Sequence, residues 1–415
     1  MTILRRIAIL GCALTVGATP ALTVPPLLAD APGTTSGAAA GSRISLDRWQ
    51  STADWRSGRT QGVRIEGGQL RVAAPVRTRT YRGKSYDEAR WTSAWTQTRF
   101  GATSTIPSWN ARTSAGTWVE VQVRARTGNK AGSWDVVARW ADSDRGFRRV
   151  SAGAQADDLT SVNVDTVVAD GGRSYSSWQL RISLLRRTGT DRSPVVESAT
   201  TMTSRVPAGD TPTSTTGMRK TLDLPVPRYS QMLHAGTYPQ WDNGGEAWCS
   251  PTSTTMLLAY WDALPSERAL RWIPDGTPQR PVVHAARYVY DYRYDGAGNW
   301  AFNTAYAGTR GLDAYVTRLP SLRSAERYIK AGIPLVASVA FGAGELDGAP
   351  IDSTNGHLMV IRGFTATGDV IVNDPAAARP RGVRRTYDRG QFENAWIPAT
   401  GGVVYVMRPE GTPLP

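Results

Sequence analysis

Cysteine and histidine are scarce in this chain, which has two cysteines and three histidines among its 415 residues. Cys12 lies in an N-terminal segment that we expect to be cleaved off, so the mature chain would keep Cys249 as its one thiol. A lone thiol excludes an intrachain disulfide, and it is either a buried, inert side chain or a reactive one. The histidines form no pair at metal-ligand spacing and there is no cysteine cluster, so we expect no metal and no cofactor.

Long apolar runs are also missing. Arg5 and Arg6 precede a short apolar core at residues 7–16, and small residues follow it. That core is too short to span a bilayer, and its basic flank is typical of a secretory signal peptide. We therefore predict a signal peptide at residues 1–31, a flexible leader at 32–42, no transmembrane segment in the mature chain, and a secreted protein that could associate with the cell wall.

Basic residues outnumber acidic ones, 48 to 35, which gives a formal net charge of +13. The arginines are spread over both halves of the chain. This charge is typical either of an ordinary basic surface or of attraction to an anionic partner, such as a cell wall, a membrane surface or nucleic acid. No nucleic-acid-binding motif accompanies the charge, so we do not expect nucleic acid as a partner.

Short stretches of alternating apolar and polar residues dominate the first half of the chain. They lie at residues 119–125, 134–141, 162–168 and 178–184, and turn residues separate them. Several short alternating strands without a helical pattern predict an antiparallel β-sandwich, jelly-roll-like, at residues 43–204.

Five tryptophans of this half are candidates either for core packing, which we favour for most of them, or for stacking on a glycan. They are Trp109, Trp118, Trp134, Trp140 and Trp178.

The second half has a different pattern and follows a Thr-, Ser- and Pro-rich linker at residues 205–220. Helical spacing predicts helices after Cys249 and at residues 284–294, 304–319 and 324–331. Apolar runs predict strands at the end of the domain, and residues 391–396 are interpreted as a turn. Helices early and strands late predict an α+β domain at residues 221–409.

Cys249 precedes the first of these helices. Pro251 fits the first helical turn, where a missing N–H costs nothing, and apolar residues at helical spacing follow it. The partial positive charge of a helix N-terminus favours a thiolate. Cys249 is therefore our candidate nucleophile.

A base for this thiol is predicted at the start of an apolar strand, where His357 follows Gly356. Asp374 ends the next strand, so an antiparallel hairpin would bring both side chains to one end of the sheet and let the acid orient the ring. Asn373 is the alternative orienter. His234 and His284 are interpreted as surface or cleft-lining residues.

An acyl-transfer site also needs donors for the oxyanion. The backbone N–H of Cys249 can be one of them. Gln231 and Gln240, both upstream of the cysteine, are alternative side-chain donors.

The motifs around these residues resemble those of the C39-like branch of the papain-like cysteine peptidases. The Val-Pro-x-Tyr-x-Gln segment ends at Gln231, a Cys-x-Pro-Thr-Ser segment begins at Cys249, and Gly-His and Asn-Asp-Pro segments contain His357 and Asp374. The resemblance covers a little under half of the chain, and Ser250 stands where the family has glycine. It implies a papain-like fold with Cys249 as nucleophile, His357 as base, Asp374 as orienter and Gln231 as oxyanion donor.

Three functions are consistent with this sequence. The first is a secreted thiol hydrolase that cleaves a peptide, protein or cell-wall peptide through an acyl-enzyme. The second is an extracellular binding protein whose β-sandwich recognises a glycan or an anionic surface, with a weakly active or inactive peptidase-like domain. The third is acyl transfer to an amine by the same three residues.

Overall fold

The computed structural model describes residues 43–206 and 211–415, so the predicted signal peptide, the leader and Cys12 lie outside the described residues. Within these two ranges the chain forms 23 strands and seven α-helices, grouped into three antiparallel sheets. In this part of the chain, every helix is too short or too polar to cross a membrane.

The first half is built almost entirely from strands and contains one short helix. Its elements are β1 (Arg43–Trp49), α1 (Thr52–Arg56), β2 (Arg59–Gln61), β3 (Val63–Glu66), β4 (Gln69–Val72), β5 (Arg77–Tyr81), β6 (Lys84–Thr92), β7 (Thr96–Ala102), β8 (Ser104–Arg112), β9 (Thr117–Thr127), β10 (Lys130–Ala131), β11 (Asp135–Trp140), β12 (Val150–Ser151), β13 (Thr160–Asn163), β14 (Thr166–Ala169), β15 (Tyr175–Arg187) and β16 (Val195–Arg205).

These strands form a seven-stranded sheet in the order β13-β14-β8-β16-β4-β3, with β1 beside β16, and a nine-stranded sheet in the order β12-β11-β9-β15-β6-β2. The sheets contact each other through tryptophans: Trp49 of β1 packs edge-to-face on Trp91 and Trp178 of the other sheet. The strand-rich first half is as predicted, whereas the jelly-roll-like layout stays a prediction.

Four of the five candidate tryptophans are buried in the core, as we favoured, and Trp134 is partly exposed.

One predicted strand is instead a hairpin. The alternating residues 162–168 are divided between β13 and β14, and Asn163 pairs with Thr166 across a two-residue turn. The turn consists of Val164 and Asp165, and Val164 has a φ of 54°. Alternation continues through the turn, so the apolar pattern cannot reveal it. A β-branched residue is also the least expected side chain at positive φ.

The second half combines six helices with the third sheet. Its elements are β17 (Leu222–Asp223), α2 (Cys249–Tyr260), α3 (Glu267–Leu270), α4 (Arg280–Val289), α5 (Trp300–Thr309), β18 (Leu312–Arg318), α6 (Leu322–Lys330), β19 (Leu335–Phe341), β20 (Thr354–Phe364), β21 (Val370–Asn373), β22 (Arg384–Tyr387), α7 (Arg389–Thr400) and β23 (Val403–Pro409). The sheet order is β18-β23-β19-β20-β21-β22, with β17 beside β20.

Two local predictions in this half are wrong. The predicted helix at 304–319 ends at Thr309, and Gly311, with a φ of 87°, turns the chain into strand β18. Strand β18 forms because it pairs along its whole length with the distant β23. The predicted turn at 391–396 lies inside helix α7, which Asp388 caps by accepting a hydrogen bond from the backbone of Gln391.

The two halves share a hydrogen-bonded interface. The side-chain amide of Asn110 in β8 donates to the carbonyl of Ala314 (2.9 Å) and accepts from its N–H (3.1 Å). Arg318 of the same strand, β18, donates to the hydroxyls of Ser104 and Ser204. Buried polar groups that bond across a boundary fix the register of the two surfaces, so the first half is positioned relative to the site described next.

Candidate active site

Cys249 is the first residue of helix α2, as its sequence context predicts, and it is buried. Pro251 lies in the first turn, and the helix is enclosed on all sides from Cys249 to Leu258. The side chain of Ser250 points away into the third sheet, where its hydroxyl is 2.9 Å from that of Tyr405. The serine that departs from the family motif therefore has a packing partner.

His357 lies near the start of β20, and its Nε2 is 2.8 Å from Oδ1 of Asp374. Helix α2 packs beside the same strand, and the hydroxyl of Ser253 donates a hydrogen bond to the carbonyl of Leu358 (3.0 Å). Ser253 is one helical turn after Cys249, and Leu358 follows His357. The structure thus brings the candidate nucleophile, base and orienter to one region.

Asp374 is completely buried and accepts three hydrogen bonds. Besides the imidazole, its donors are the hydroxyl of Tyr387 (2.8 Å) and the N–H of Ala376 (3.0 Å). Burial alone raises the pKa of this carboxyl, but the charge and hydrogen bond of His357, with the two other donors, hold the pKa below 3.8. Asp374 is therefore ionised at neutral pH and can orient and stabilise an imidazolium.

The alternative orienter, Asn373, faces away from the ring. Its side-chain carbonyl accepts from Arg362 (3.0 Å), and its NH₂ group donates to the carbonyl of Pro227 (2.9 Å). Asn373 therefore anchors the segment that leads to Gln231.

Tyr387 was missed by the sequence reasoning. It lies in β22, which pairs with the strand that ends before Asp374, and burial together with the charge of Asp374 raises its pKa. No motif marks this tyrosine, because its role depends on the pairing of β21 with β22.

The two candidate oxyanion donors differ in position. Gln231 is buried, and its Nε2 donates to the carbonyl of Glu246 (2.7 Å), three residues before the cysteine. Gly245 permits this approach, since a Cβ there would lie 2.4 Å from the carbonyl oxygen of Gln231. Gln240 is exposed on a turn. The geometry favours Gln231.

Both remaining histidines are buried, which corrects the expectation of surface or lining positions. His234 packs near Trp248, with ring centres 5.6 Å apart, and burial lowers its pKa to about 4. His284 lies 2.8 Å from the hydroxyl of Tyr306, and burial lowers its pKa to about 3, with smaller effects of nearby arginines. They are uncharged packing residues at neutral pH.

A small cavity of about 90 Å³ opens beside Cys249, and both halves of the chain line it. The second half contributes Asp242, Tyr294 and Trp300. The first half contributes residues 163–166, the turn of the β13–β14 hairpin. This contribution has no local sequence signal, since it depends on how the hairpin docks.

Two carboxyls line this cavity, the buried Asp165 and the partly exposed Asp242. Asp165 accepts hydrogen bonds from the N–H of Trp300 (2.6 Å) and the hydroxyl of Thr166 (3.1 Å), and Asp242 accepts from the N–H of Ala297 (2.7 Å). Burial raises the pKa of each carboxyl from 3.8 to about 6, against the opposing effect of these bonds. Among the described residues, no three His, Cys, Asp or Glu side chains are grouped to hold a metal.

The chain matches two protein families. Residues 45–204 match the family described as Peptidase C39 N-terminal domain, and residues 223–404 match the Peptidase_C39 like family. Among curated proteins, none matches this chain.

Similar solved structures include a crystal structure from Bacillus anthracis described as a C39-like peptidase. Its identity is 18%, its TM-score is 0.28, and the match covers 45% of this chain and 97% of that one. A structure of the infectious bursal disease virus Gx strain has 13% identity and a TM-score of 0.24, and the match covers 43% of this chain. A structure of a family two carbohydrate esterase from Cellvibrio japonicus has 12% identity and a TM-score of 0.17, and the match covers 41% of this chain. These two matches cover 36% and 37% of the length of the other chain, little more than a third. Similarities at these TM-scores assign no function.

Proposed function

Because residues 223–404 belong to the C39-like peptidase family, we propose that this protein is a secreted thiol hydrolase that cleaves a peptide or another amide bond. The observation that carries the proposal is the buried chain of hydrogen bonds from Tyr387 through Asp374 to His357, on a strand beside the helix that begins at Cys249. The apolar, Arg-flanked N-terminus supports secretion, and a papain-like layout of the second half is part of the same proposal.

Each candidate residue has a defined role in this mechanism. The Cys249 thiolate attacks the carbonyl carbon, and the carbonyl oxygen takes the negative charge. The N–H of Cys249 and Nε2 of Gln231 donate to that oxyanion; Nε2 carries two hydrogens, so its bond to Glu246 leaves one for the substrate. His357 then gives a proton to the leaving amine as the C–N bond breaks.

Water completes the reaction. His357 takes a proton from the water molecule that attacks the thioester, and the acid product leaves as Cys249 returns to a thiolate. Asp374 keeps the imidazole in one orientation through both steps and stabilises its charged form.

The cavity beside Cys249 binds the substrate in this proposal. One substrate side chain next to the scissile bond would lie against the turn formed by Val164 and Asp165. The first half would thereby limit the size of that side chain, and small residues are the preferred occupants of a cavity of about 90 Å³.

The test is a screen of peptides and cell-wall fragments with the native protein, Cys249→Ala and Thr252→Val. Thr252 is a matched control because it lies in the same helical turn and its buried hydroxyl makes no hydrogen bond. Product from the native protein and Thr252→Val, together with none from Cys249→Ala, supports the proposal. A Cys249→Ala protein that retains activity, or a thiol that iodoacetamide cannot label between pH 6 and 10, contradicts it.

A further inference from the structure

An alternating stack of arginine and tryptophan lies on the nine-stranded sheet of the first half. Its order is Arg126, Trp95, Arg124, Trp134, Arg181, and we call these five residues the Arg–Trp ladder. Each guanidinium carbon lies 3.7–4.8 Å from the centre of a neighbouring indole. All five side chains are partly exposed. Stacking on indoles holds the guanidiniums in fixed positions.

Among the described residues, the ladder arginines form no ion pair with a carboxylate, unlike other arginines of the same sheet. Arg77 and Arg90 pair with the buried Glu88, and Arg79 and Arg139 pair with the buried Glu120.

In contrast, Arg124 bonds the side-chain carbonyl of Gln179 (2.8 Å), and Arg126 bonds the hydroxyl of Ser177 (3.0 Å). Nε of Arg181 is buried without a partner, and no carboxylate of the described chain lies within ion-pair distance of the three ladder arginines. Burial and the nearby Arg90 and Arg124 lower the pKa of Arg181 to about 10, and the charge of Glu88, which lies beyond ion-pair distance, acts in the opposite direction.

The indoles of the ladder are poorly suited to sugar stacking. Trp95 and Trp134 each have two guanidiniums within 5 Å of the ring centre. Their faces therefore already contact arginine, and what the ladder offers to a ligand is a row of guanidinium N–H groups.

We propose that the Arg–Trp ladder is a binding site for a linear polymer that carries phosphate groups. A phosphate offers acceptor oxygens in several directions, so one group can accept from two neighbouring guanidiniums, whereas a carboxylate offers two oxygens in one plane. The row of three cations favours a flexible linear anion over a flat surface, and the net charge of +13 would attract such a polymer from a distance. This site is separate from the cavity beside Cys249 and does not depend on the proposed hydrolysis.

The test is binding of inorganic polyphosphate of fixed length to the full chain over a range of salt concentrations. Three phosphate contacts give a slope of about −2 for log K against log salt. Arg124→Gln with Arg181→Gln should weaken binding at least tenfold and reduce the slope to about −0.7. Arg64→Gln with Arg71→Gln is the control, because it removes the same charge from the other sheet.

A second measurement uses the native protein, so it does not depend on whether the variants fold. Polyphosphate should slow the modification of Arg124, Arg126 and Arg181 by phenylglyoxal at least fivefold, measured by peptide mass spectrometry, and leave Arg64 unaffected. Equal weakening in the control pair, no protection of the ladder, or binding of a carboxylate polymer or anionic vesicles as tight as that of polyphosphate would overturn the proposal.

Discussion

Replacing Asp165 with asparagine should stabilise the protein at neutral pH. Asp165 is buried at the tip of the hairpin and accepts only neutral hydrogen bonds, from Trp300 and Thr166. Burial, assisted by the charge of Asp291, raises its pKa from 3.8 to about 6. Above pH 6 the folded protein must therefore keep a carboxylate that would be better solvated in the unfolded chain.

The magnitude follows from the shift in pKa. A difference of about 2 pKa units at about 1.4 kcal/mol each makes the ionised carboxyl cost about 3 kcal/mol. The positive end of helix α5 beside Trp300 offsets part of this cost, by about 0.3–1 kcal/mol. Asparagine keeps a carbonyl for the N–H of Trp300, so we expect a gain of about 1–3 kcal/mol in the free energy of unfolding of Asp165→Asn at pH 8.

The gain depends on pH in one direction. Because the folded-state pKa is raised, the native state binds more protons than the unfolded state between pH 3.8 and about 6, and stability falls as the pH rises through this window. The variant lacks that decrease. Its advantage over the native protein should therefore grow from pH 4 to pH 6 and stay constant above pH 7, measured by guanidinium titrations at each pH.

Asp191→Asn is the control, because Asp191 is exposed and its replacement removes the same charge. It should change the free energy of unfolding by less than about 0.5 kcal/mol at every pH. A variant Asp165→Asn that loses stability relative to the native protein as the pH rises would refute the reasoning, since it would mean that the ionised carboxylate stabilises the docked hairpin.

Four further predictions concern the site and its cavity. Asp374→Asn should lower kcat by about 10³–10⁴ in steady-state assays, because the ring loses its charged partner, and a drop below tenfold would contradict that role. Tyr387→Phe removes one hydrogen bond to a buried carboxylate and should lower the free energy of unfolding by about 1.5–3 kcal/mol in guanidinium titrations. Gln231→Ala should lower kcat about 100-fold with little change in KM, whereas Gln240→Ala should match the native protein; the reverse order would assign the donor to Gln240. Val164→Gly should relieve the strain of a positive φ by about 1 kcal/mol and increase kcat/KM for peptides with larger side chains, and an unchanged size preference would separate the hairpin from the substrate.

Short-range signals predicted which residues the candidate site brings together. A proline in the first turn indicates that Cys249 begins a helix, and the glycine before His357 marks the start of an apolar strand. Two antiparallel strands then imply that His357 and Asp374 share one end of the sheet, and the structure has their side chains within 2.8 Å. Each of these signals lies within a few residues of the side chain concerned.

The predictions that were wrong concern segments whose structure depends on residues far away in the chain. Residues 304–319 were predicted as one helix because their spacing is helical, but β18 obtains its hydrogen bonds from β23, about 90 residues later. Residues 162–168 have an alternating pattern, yet the chain reverses direction at Val164 and Asp165. Local propensity is weaker than pairing and docking where distant groups satisfy the backbone.

The amino-acid sequence by itself determined the lone thiol of the predicted mature chain, the surplus of arginine, the family of the second half and the residue types that a thiol hydrolase needs. Only the tertiary structure decided that Tyr387 completes the bonds of Asp374, that Asn373 faces away from His357, and that a hairpin of the first half lines the cavity beside Cys249. The physical reason is that buried polar groups must find partners, and those partners come from strands and turns far away in the chain, which no local pattern encodes.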